Sequence, residues 1–288
     1  MTKYSDITFT VFYTLPEWRN IITYAIKPFL QTEQLEGNLA CYYVYLYPEP
    51  TQHITIVLYP SRDHYTLENK FVEQIGNFLS KNQSPTDIQH QLDNNLMNYS
   101  NNSIGIDIEK PIRIAISDDK LQHTRHCISQ VLISVLEKNE AEIETIYTVL
   151  IYLQLGIIKA INPTIKKART KAVELLSYVE SVDSTTKETV GKQVYDDIKL
   201  WFENDMDSFT EIIEDIWNTD EYNDDLKWLE TWIVHCKQFI KDNDFNESFM
   251  ILSKLINKHI GFNYKIFPKK LLLNSFIQSA KNTVLRIS

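Results

Sequence analysis

Hydrophobic and polar positions alternate in a way that predicts strands in the first part of the chain. The runs Ile7 to Tyr13, Leu39 to Tyr47 and His53 to Tyr59 are rich in β-branched and aromatic side chains, which favour extended structure. The last two runs flank a turn that contains Pro48 and Pro50. Because proline cannot extend a hydrogen-bonded ladder, we expect these two strands to form a hairpin around that turn.

Helical periodicity fills the intervals between these strands. Pro16 stands where a helix can begin, and apolar residues follow it at helical spacing as far as Phe29. Leu67 to Leu79 also carries its apolar residues on one helical face. The order β, α, β, β, α indicates a ferredoxin-like arrangement. The polar segment Lys81 to Asp107 predicts a long loop or a weak strand, and Ile112 to Ile116 predicts a further strand.

From Asp118 onward the pattern is helical, with apolar residues recurring at intervals of three and four. The runs are Ile128–Leu136, Ile146–Ile161, Ala172–Val179, Val194–Phe202, Leu226–Phe239 and Phe249–Ile260. The predicted fold class is therefore α+β, with a ferredoxin-like mixed sheet and flanking helices followed by a mainly helical C-terminal half. We expect a sheet-containing subdomain over residues 1–117 and a helical subdomain over 118–288 packed on it, the two forming one composite domain.

Composition and charge exclude several classes of function. A net charge of -9 and a pI near 5.3 disfavour direct nucleic-acid binding, which depends on clustered Lys and Arg. The six glycines form neither GxGxxG nor GxxxxGK, so we expect no nucleotide cofactor. The chain shows no signal-peptide pattern and no apolar run long enough to cross a bilayer. We therefore predict a cytoplasmic protein without a membrane span.

Candidate metal ligands are sparse. Cys41, Cys127 and Cys236 lie far apart and show no CxxC spacing. His123 and His126 would share a helical face, a spacing compatible with zinc, but no further ligand follows at a matching interval. The acidic run from Glu203 to Asp225 suits a solvated helix surface, with a docking surface for a basic peptide as the alternative. We predict no bound metal and no other cofactor.

Two short motifs resemble those of one protein family. Tyr47, the turn prolines, His53 and Ile54 match the family's first motif, and Asn257, Lys258 and Gly261 match its C-terminal motif. The chain in this respect resembles the C-terminal, glutamate-elimination domain of class I lantibiotic dehydratases, which also occurs as free-standing thiopeptide-type bacteriocin biosynthesis proteins. The resemblance implies a stand-alone protein of ribosomal peptide antibiotic biosynthesis. Its expected partners are a modified precursor peptide and a separate glutamylating dehydratase subunit.

The chain departs from this family at residues that carry its chemistry. Leu46, Thr55 and Val57 stand where the family places arginines, and Ser253 stands where it places a histidine. In the family the arginines hold the carboxylates of a glutamylated Ser or Thr, and the histidine helps to move the proton in β-elimination. Replacing Arg by Thr or Val removes both the charge and the planar donor geometry. A serine without a neighbouring base cannot accept a proton near neutral pH, so we do not expect ordinary glutamate elimination.

The remaining polar residues near the motifs supply the candidate site. Arg113 lies on an apolar strand-like run, where a charge must be paired, reach solvent or bind a ligand anion. We predict catalytic or anion-handling roles for His53, Arg62 and Arg113, and substrate-binding roles for Tyr47, His64 and Asn257. His53 could equally be a strand-end histidine hydrogen-bonded to the turn. His259 is expected on a helix flank.

Two hypotheses for the function remain open. The first is a lyase-type enzyme that removes a group from an activated Ser or Thr, or catalyses a related late step such as pyridine-forming cyclisation. The second is a non-catalytic partner that holds a leader or core peptide, laid along a sheet edge, for a separate dehydratase subunit. The oligomeric state, including a homodimer, is also open.

Overall fold

The computed structural model describes residues 6–48, 51–61, 64–85, 88–92, 98–108, 119–183, 206–218, 222–261 and 269–285. Its strands are β1 (Ile7–Phe12), β2 (Leu39–Tyr47), β3 (His53–Pro60), β4 (Gln89–Gln91), β5 (Asn98–Ser100) and β6 (Ser103–Ile106). Its helices are α1 (Trp18–Ile21), α2 (Lys27–Leu35), α3 (His64–Lys81), α4 (Asp119–Lys138), α5 (Ile143–Lys159), α6 (Ile165–Asp183), α7 (Met206–Asn218), α8 (Lys227–Ile240), α9 (Phe245–His259) and α10 (Lys269–Leu285). A 3₁₀ turn (Leu15–Glu17) precedes α1, and a π-helical turn (Ile22–Ile26) joins α1 to α2.

A four-stranded sheet in the order β2-β3-β1-β6 forms the core of the N-terminal half. The chain enters it in the order β, α, β, β, α, β, which together with the strand order is the ferredoxin-like connectivity. This confirms the predicted α+β class, with a mainly helical C-terminal half. The described pairings within the sheet are all antiparallel, so the sheet is antiparallel where a mixed one was expected.

The polar segment before α4 contributes more strand than its sequence indicated. Strands β4 and β5 form a separate antiparallel hairpin, and β6 completes the main sheet by pairing with β1. Strands of three or four residues, such as β4, β5 and β6, are specified by their partners rather than by their own composition. The predicted strand Ile112–Ile116 and the predicted helical run Val194–Phe202 lie outside the described residues.

Both faces of the sheet are buried, which explains why its strands are rich in apolar residues. Side chains alternate between the faces along each strand. On one face Phe9 of β1 stacks on Phe71 of α3 with ring centroids 4.1 Å apart, and Phe29 of α2 meets Phe71 edge-on at 5.1 Å. Helices α2 and α3 therefore cover this face.

The outer edge of β2 is capped by side chains. Ser129 Oγ on α4 accepts a hydrogen bond from the Val44 backbone N–H at 2.9 Å, and His259 Nδ1 lies 2.8 Å from the Val44 carbonyl oxygen. His126 Nδ1 contacts the Tyr42 carbonyl oxygen at 3.2 Å. An edge strand normally exposes such groups as a template for further pairing. Here side chains occupy them.

The chain divides into two compact units, Met1–Val149 with His259–Gly261 and Leu150–Lys258 with Phe262–Ser288. The division falls within α5. The boundary predicted between residues 117 and 118 lies outside the described residues and stays a prediction.

The second unit is a helical assembly held together by buried tryptophans. Trp232 Nε1 on α8 donates a hydrogen bond to the Leu153 carbonyl oxygen at 2.8 Å. Gly156 makes room for that ring, because a Cβ atom there would lie 2.9 Å from Trp232 Cδ1. Trp217 of α7 stacks on Phe276 of α10 with centroids 5.1 Å apart. Among the helices described, none has the length and apolar character needed to span a membrane.

Candidate functional site

The second face of the sheet gathers aromatic, histidine and threonine side chains, and we call it the tyrosine face. The strand register arranges it in three rows that run across β2, β3 and β1. The rows are Tyr47–His53–Phe12, Tyr45–Thr55–Thr10 and Tyr43–Val57–Thr8. All of these residues are buried and belong to the first unit.

His53 occupies the centre of the first row. Its ring stacks on Tyr47 with centroids 4.3 Å apart and an interplanar angle of 10°, and Phe12 lies 5.8 Å away on the other side. The Nδ1 atom is 2.7 Å from the Thr51 carbonyl oxygen, so Nδ1 carries the hydrogen and donates it. In the neutral ring the proton acceptor is then Nε2. The structure brings together Tyr47 and His53, two of the residues that sequence analysis selected.

The hairpin β4–β5 extends this row beyond Phe12. Tyr99 stacks on Phe12 at 4.7 Å, and His90 lies 5.5 Å from the same ring. His90 Nε2 is 3.3 Å from Asn101 Oδ1. Burial lowers the pKa of His90 below its ordinary value, although the hydrogen bond to Asn101 opposes this shift. His90 is therefore a neutral, donating ring at neutral pH.

Two functional candidates on this face were missed at the level of sequence. His259, the last residue of α9, stacks on Tyr45 with centroids 4.4 Å apart and lies edge-on to Tyr43 at 6.4 Å. It is fully buried, so the expectation that it lies on a helix flank is wrong. Arg125 of α4 is also buried and places its guanidinium carbon 5.4 Å from the centre of the Tyr43 ring.

A sequence signal for His259 existed. It follows Leu255 and Ile256 by four and three residues, which places it on the apolar face of its helix. For Arg125 the only such signal was its position between Thr124 and Cys127, which are buried residues of α4.

The electrostatics of the tyrosine face favour protonated phenols and a protonated thiol. Burial raises the pKa of Tyr43 and Tyr45 well above the ordinary value, although the charge of Arg125 lowers both. Burial likewise raises the pKa of the Cys41 thiol. These groups can donate hydrogen bonds at neutral pH but cannot act as bases. Proton acceptance on this face is left to imidazole rings, and the guanidinium of Arg125 supplies a permanent positive charge.

The positions that carry arginines in the resembled family divide between the two sheet faces. Thr55 and Val57 lie at the centre of the tyrosine face, whereas Leu46 is opposite Ile54 and points to the other face. An apolar methyl surface and one hydroxyl group therefore stand where two charged side chains would hold a carboxylate.

Asn257 and Ser253 form part of a buried polar network in the second unit. Ser253 Oγ donates to Gln154 Oε1 at 2.7 Å, and Gln154 Nε2 donates to Asn257 Oδ1 at 3.2 Å. A side-chain amide cannot take a proton from Ser253, so this serine has no base in that contact.

The other sequence-selected residues are not positioned by the structure. Arg62 and Arg113 lie outside the described residues, and for His64 only the backbone, at the start of α3, is described. Their proposed roles stay predictions.

No group of three or more His, Cys, Asp or Glu side chains is arranged to hold a metal ion within the described ranges. Of the predicted His123–His126 pair, His126 is engaged in the cap of β2. Its Nδ1 donates to the Tyr42 carbonyl oxygen, and its Nε2 accepts from Gln130 Nε2 at 3.1 Å.

No protein-family model matches this sequence, and no curated protein matches it. Among solved structures, the pyridine synthase TbtD from thiomuracin biosynthesis superposes with a TM-score of 0.61 and 15% sequence identity, covering 99% of this chain and 100% of that chain. The tRNA-dependent lantibiotic dehydratase MibB from Microbispora sp. 107891 superposes with a TM-score of 0.57 and 9% identity, covering 100% of this chain and 29% of that chain. At the level of the fold, this chain is therefore similar to a thiopeptide pyridine synthase and to part of a lantibiotic dehydratase, as its sequence motifs indicated.

Proposed function

We propose that this chain is a stand-alone protein of lanthipeptide- or thiopeptide-type peptide biosynthesis that acts on a modified precursor peptide at the tyrosine face. The observation that carries the proposal is the gathering of His53, His259 and Arg125 among protonated phenols on one sheet face. The superposition on TbtD supports it, because it extends over almost the whole of both chains.

The composition of the face favours a step without a carboxylate leaving group. Glutamate elimination needs a base for the α-proton and charged donors for the departing carboxylate. Thr55 and Val57 supply no such charge, which leaves Arg125 as the guanidinium on the described part of this face. Pyridine-forming cyclisation of dehydrated residues, or lyase-type loss of a neutral group, needs only proton transfer and hydrogen-bond donors. In this proposal His53 Nε2 accepts the proton that leaves the peptide substrate, and Tyr47 holds the imidazole by stacking. Arg125 stabilises the negative charge that develops on the substrate.

A second candidate is a non-catalytic partner that binds the same peptide for a separate dehydratase subunit. It is favoured by the loss of charge at Thr55 and Val57 and by the binding of Ser253 to an amide. The predicted mode, a peptide laid along a sheet edge, does not fit the edge at β2, because side chains already cap Val44 and Tyr42 there.

The test uses the purified chain with three forms of one precursor peptide: unmodified, glutamylated on Ser or Thr, and dehydrated. Mass spectrometry follows the products, and fluorescence anisotropy follows binding. We expect the dehydrated form to change, and His53→Phe and Arg125→Met to abolish the change. His123→Phe is the matched control, because His123 is an exposed histidine on α4.

The outcomes separate the candidates. Binding without any chemical change in the three forms favours the non-catalytic partner. Loss of glutamate from the glutamylated form would contradict the expectation that this chain does not catalyse glutamate elimination. If none of the three peptides binds, the proposed function is wrong.

A further inference from the structure

Two buried hydroxyl groups face each other in the middle row of the tyrosine face. Thr10 of β1 and Thr55 of β3 are directly opposite in the strand register, and both are fully buried. Neither Thr10 Oγ1 nor Thr55 Oγ1 has a hydrogen-bond partner within the part of the chain that the structure describes. The row continues to Tyr45 on one side and to Gly105 of β6 on the other.

Such a pair leaves hydrogen-bonding capacity that a polar group can fill. Buried side-chain hydroxyls in folded proteins nearly always have a hydrogen-bond partner, because water is lost on burial and must be replaced. Residues directly opposite on antiparallel strands have Cβ atoms about 4.5–5.5 Å apart. One polar group placed between Thr10 and Thr55 can therefore contact both hydroxyls.

The surroundings of the pair favour a neutral group. Within its row the pair is bordered by the ring of Tyr45, and within its strands by Phe12 and His53 on one side and by Thr8 and Val57 on the other. An ion placed against these rings loses its hydration and gains no charged partner from either threonine, and the guanidinium of Arg125 lies against Tyr43, one row away. A hydroxyl both donates and accepts, which matches an amide that does the same.

We propose that Thr10 and Thr55 form a two-hydroxyl subsite for a neutral amide of the peptide substrate, at the position where the resembled family has a carboxylate-binding arginine. The assignment of that amide to a dehydrated precursor peptide rests on the proposed function. The subsite itself can be tested with a small amide.

The probe is N-acetyl-dehydroalanine methylamide, with acetate as its anionic counterpart. Thr methyl groups labelled with carbon-13 report on each threonine by NMR, and Thr10→Val and Thr55→Val assign the two signals. Both substitutions keep the side-chain shape, and circular dichroism verifies that the variants fold. Thr124→Val is the matched control, because Thr124 is equally buried but its hydroxyl already donates to the Lys120 carbonyl oxygen.

We expect the amide to shift the Thr10 and Thr55 signals in a saturable way and to leave the Thr124 signal unchanged. Removal of either hydroxyl should weaken amide binding by about two- to tenfold, the range that one hydrogen bond contributes. A stronger response to acetate overturns the neutral assignment. The absence of any shift with both probes overturns the subsite.

The precursor peptide separates this inference from the proposed function. If the amide titrates both threonines but the peptide does not bind, the subsite stands and the proposed function fails. If the peptide binds wild type, Thr10→Val and Thr55→Val equally, the proposed function stands and the subsite is refuted.

Discussion

Replacement of His259 tests how the edge of the central sheet is held. His259→Phe keeps an aromatic ring against Tyr45 but removes the Nδ1 hydrogen bond to the Val44 carbonyl oxygen. Because that carbonyl group is buried, the loss of its partner should lower the free energy of unfolding by about 1–3 kcal/mol. His259→Ala also removes the stacked ring and leaves a cavity, so its cost should reach about 3–5 kcal/mol, the range for large-to-small core substitutions.

Urea-induced unfolding measures the decrease in the free energy of unfolding for both variants. Hydrogen exchange of the peptide that spans β2 shows whether the destabilisation lies at that strand. We expect faster exchange in β2 for both variants, more so for His259→Ala. His123→Phe and His123→Ala are the controls, and at an exposed position each should stay within about 0.5 kcal/mol of wild type. A His259→Phe variant as stable as wild type would show that the hydrogen bond makes no net contribution. Equal losses for Phe and Ala would refute a stabilising role for the stack on Tyr45.

Three further predictions concern pH, glycine and serine. Burial holds the pKa values of His90 and His126 below the ordinary 6.5, so the unfolded chain takes up protons first as the pH falls. The stability that these two histidines contribute is present above pH 6.5 and should be lost below it. A urea midpoint that does not decrease as the pH is lowered from about 6.5 to about 5 would contradict this. Gly261→Ala should destabilise the protein strongly, because the residue has φ +63° and a Cβ atom would lie 2.5 Å from the Leu46 backbone oxygen. Gly76 lies in a helix with no atom within 4 Å of an added Cβ, so Gly76→Ala should stabilise by about 0.5–1 kcal/mol. Equal melting temperatures for the two variants would contradict both expectations. Ser253→Ala should lower the free energy of unfolding by about 1 kcal/mol and leave peptide binding unchanged, and a loss of binding in the anisotropy assay would show that this serine contacts substrate.

Local pattern was sufficient to predict the hairpin formed by β2 and β3. The runs assigned to β2 and β3 begin where the strands begin, because alternating aromatic and β-branched residues and a proline turn act over short distances. Strand β6 (Ser103–Ile106), which completes the main sheet, could not be predicted from its own residues, since its pairing with β1 depends on residues far away in the chain. Its own sequence, SIGI, has too few side chains to carry a period.

The same distinction applies to the candidate site. Tyr47 and His53 are close in sequence and the hairpin register makes them neighbours, so their pairing followed from the turn between them. Thr10 and His259 reach the same face from opposite ends of the chain, and only the tertiary fold brings them together. The resemblance indicated which charges had been lost at Thr55 and Val57, but it did not indicate Arg125.

The cap on β2 has a consequence for the order in which the protein is made. Val44 and His259 are separated by 215 residues, so a ribosome adding about 5–20 residues per second completes the cap roughly 10–40 s after the strand has emerged. During that interval the carbonyl oxygen of Val44, on this tyrosine-rich and uncharged edge strand, lacks its partner, and an unpaired edge group promotes association between nascent chains. The yield of folded protein should therefore depend on holdase chaperones and on the rate of translation.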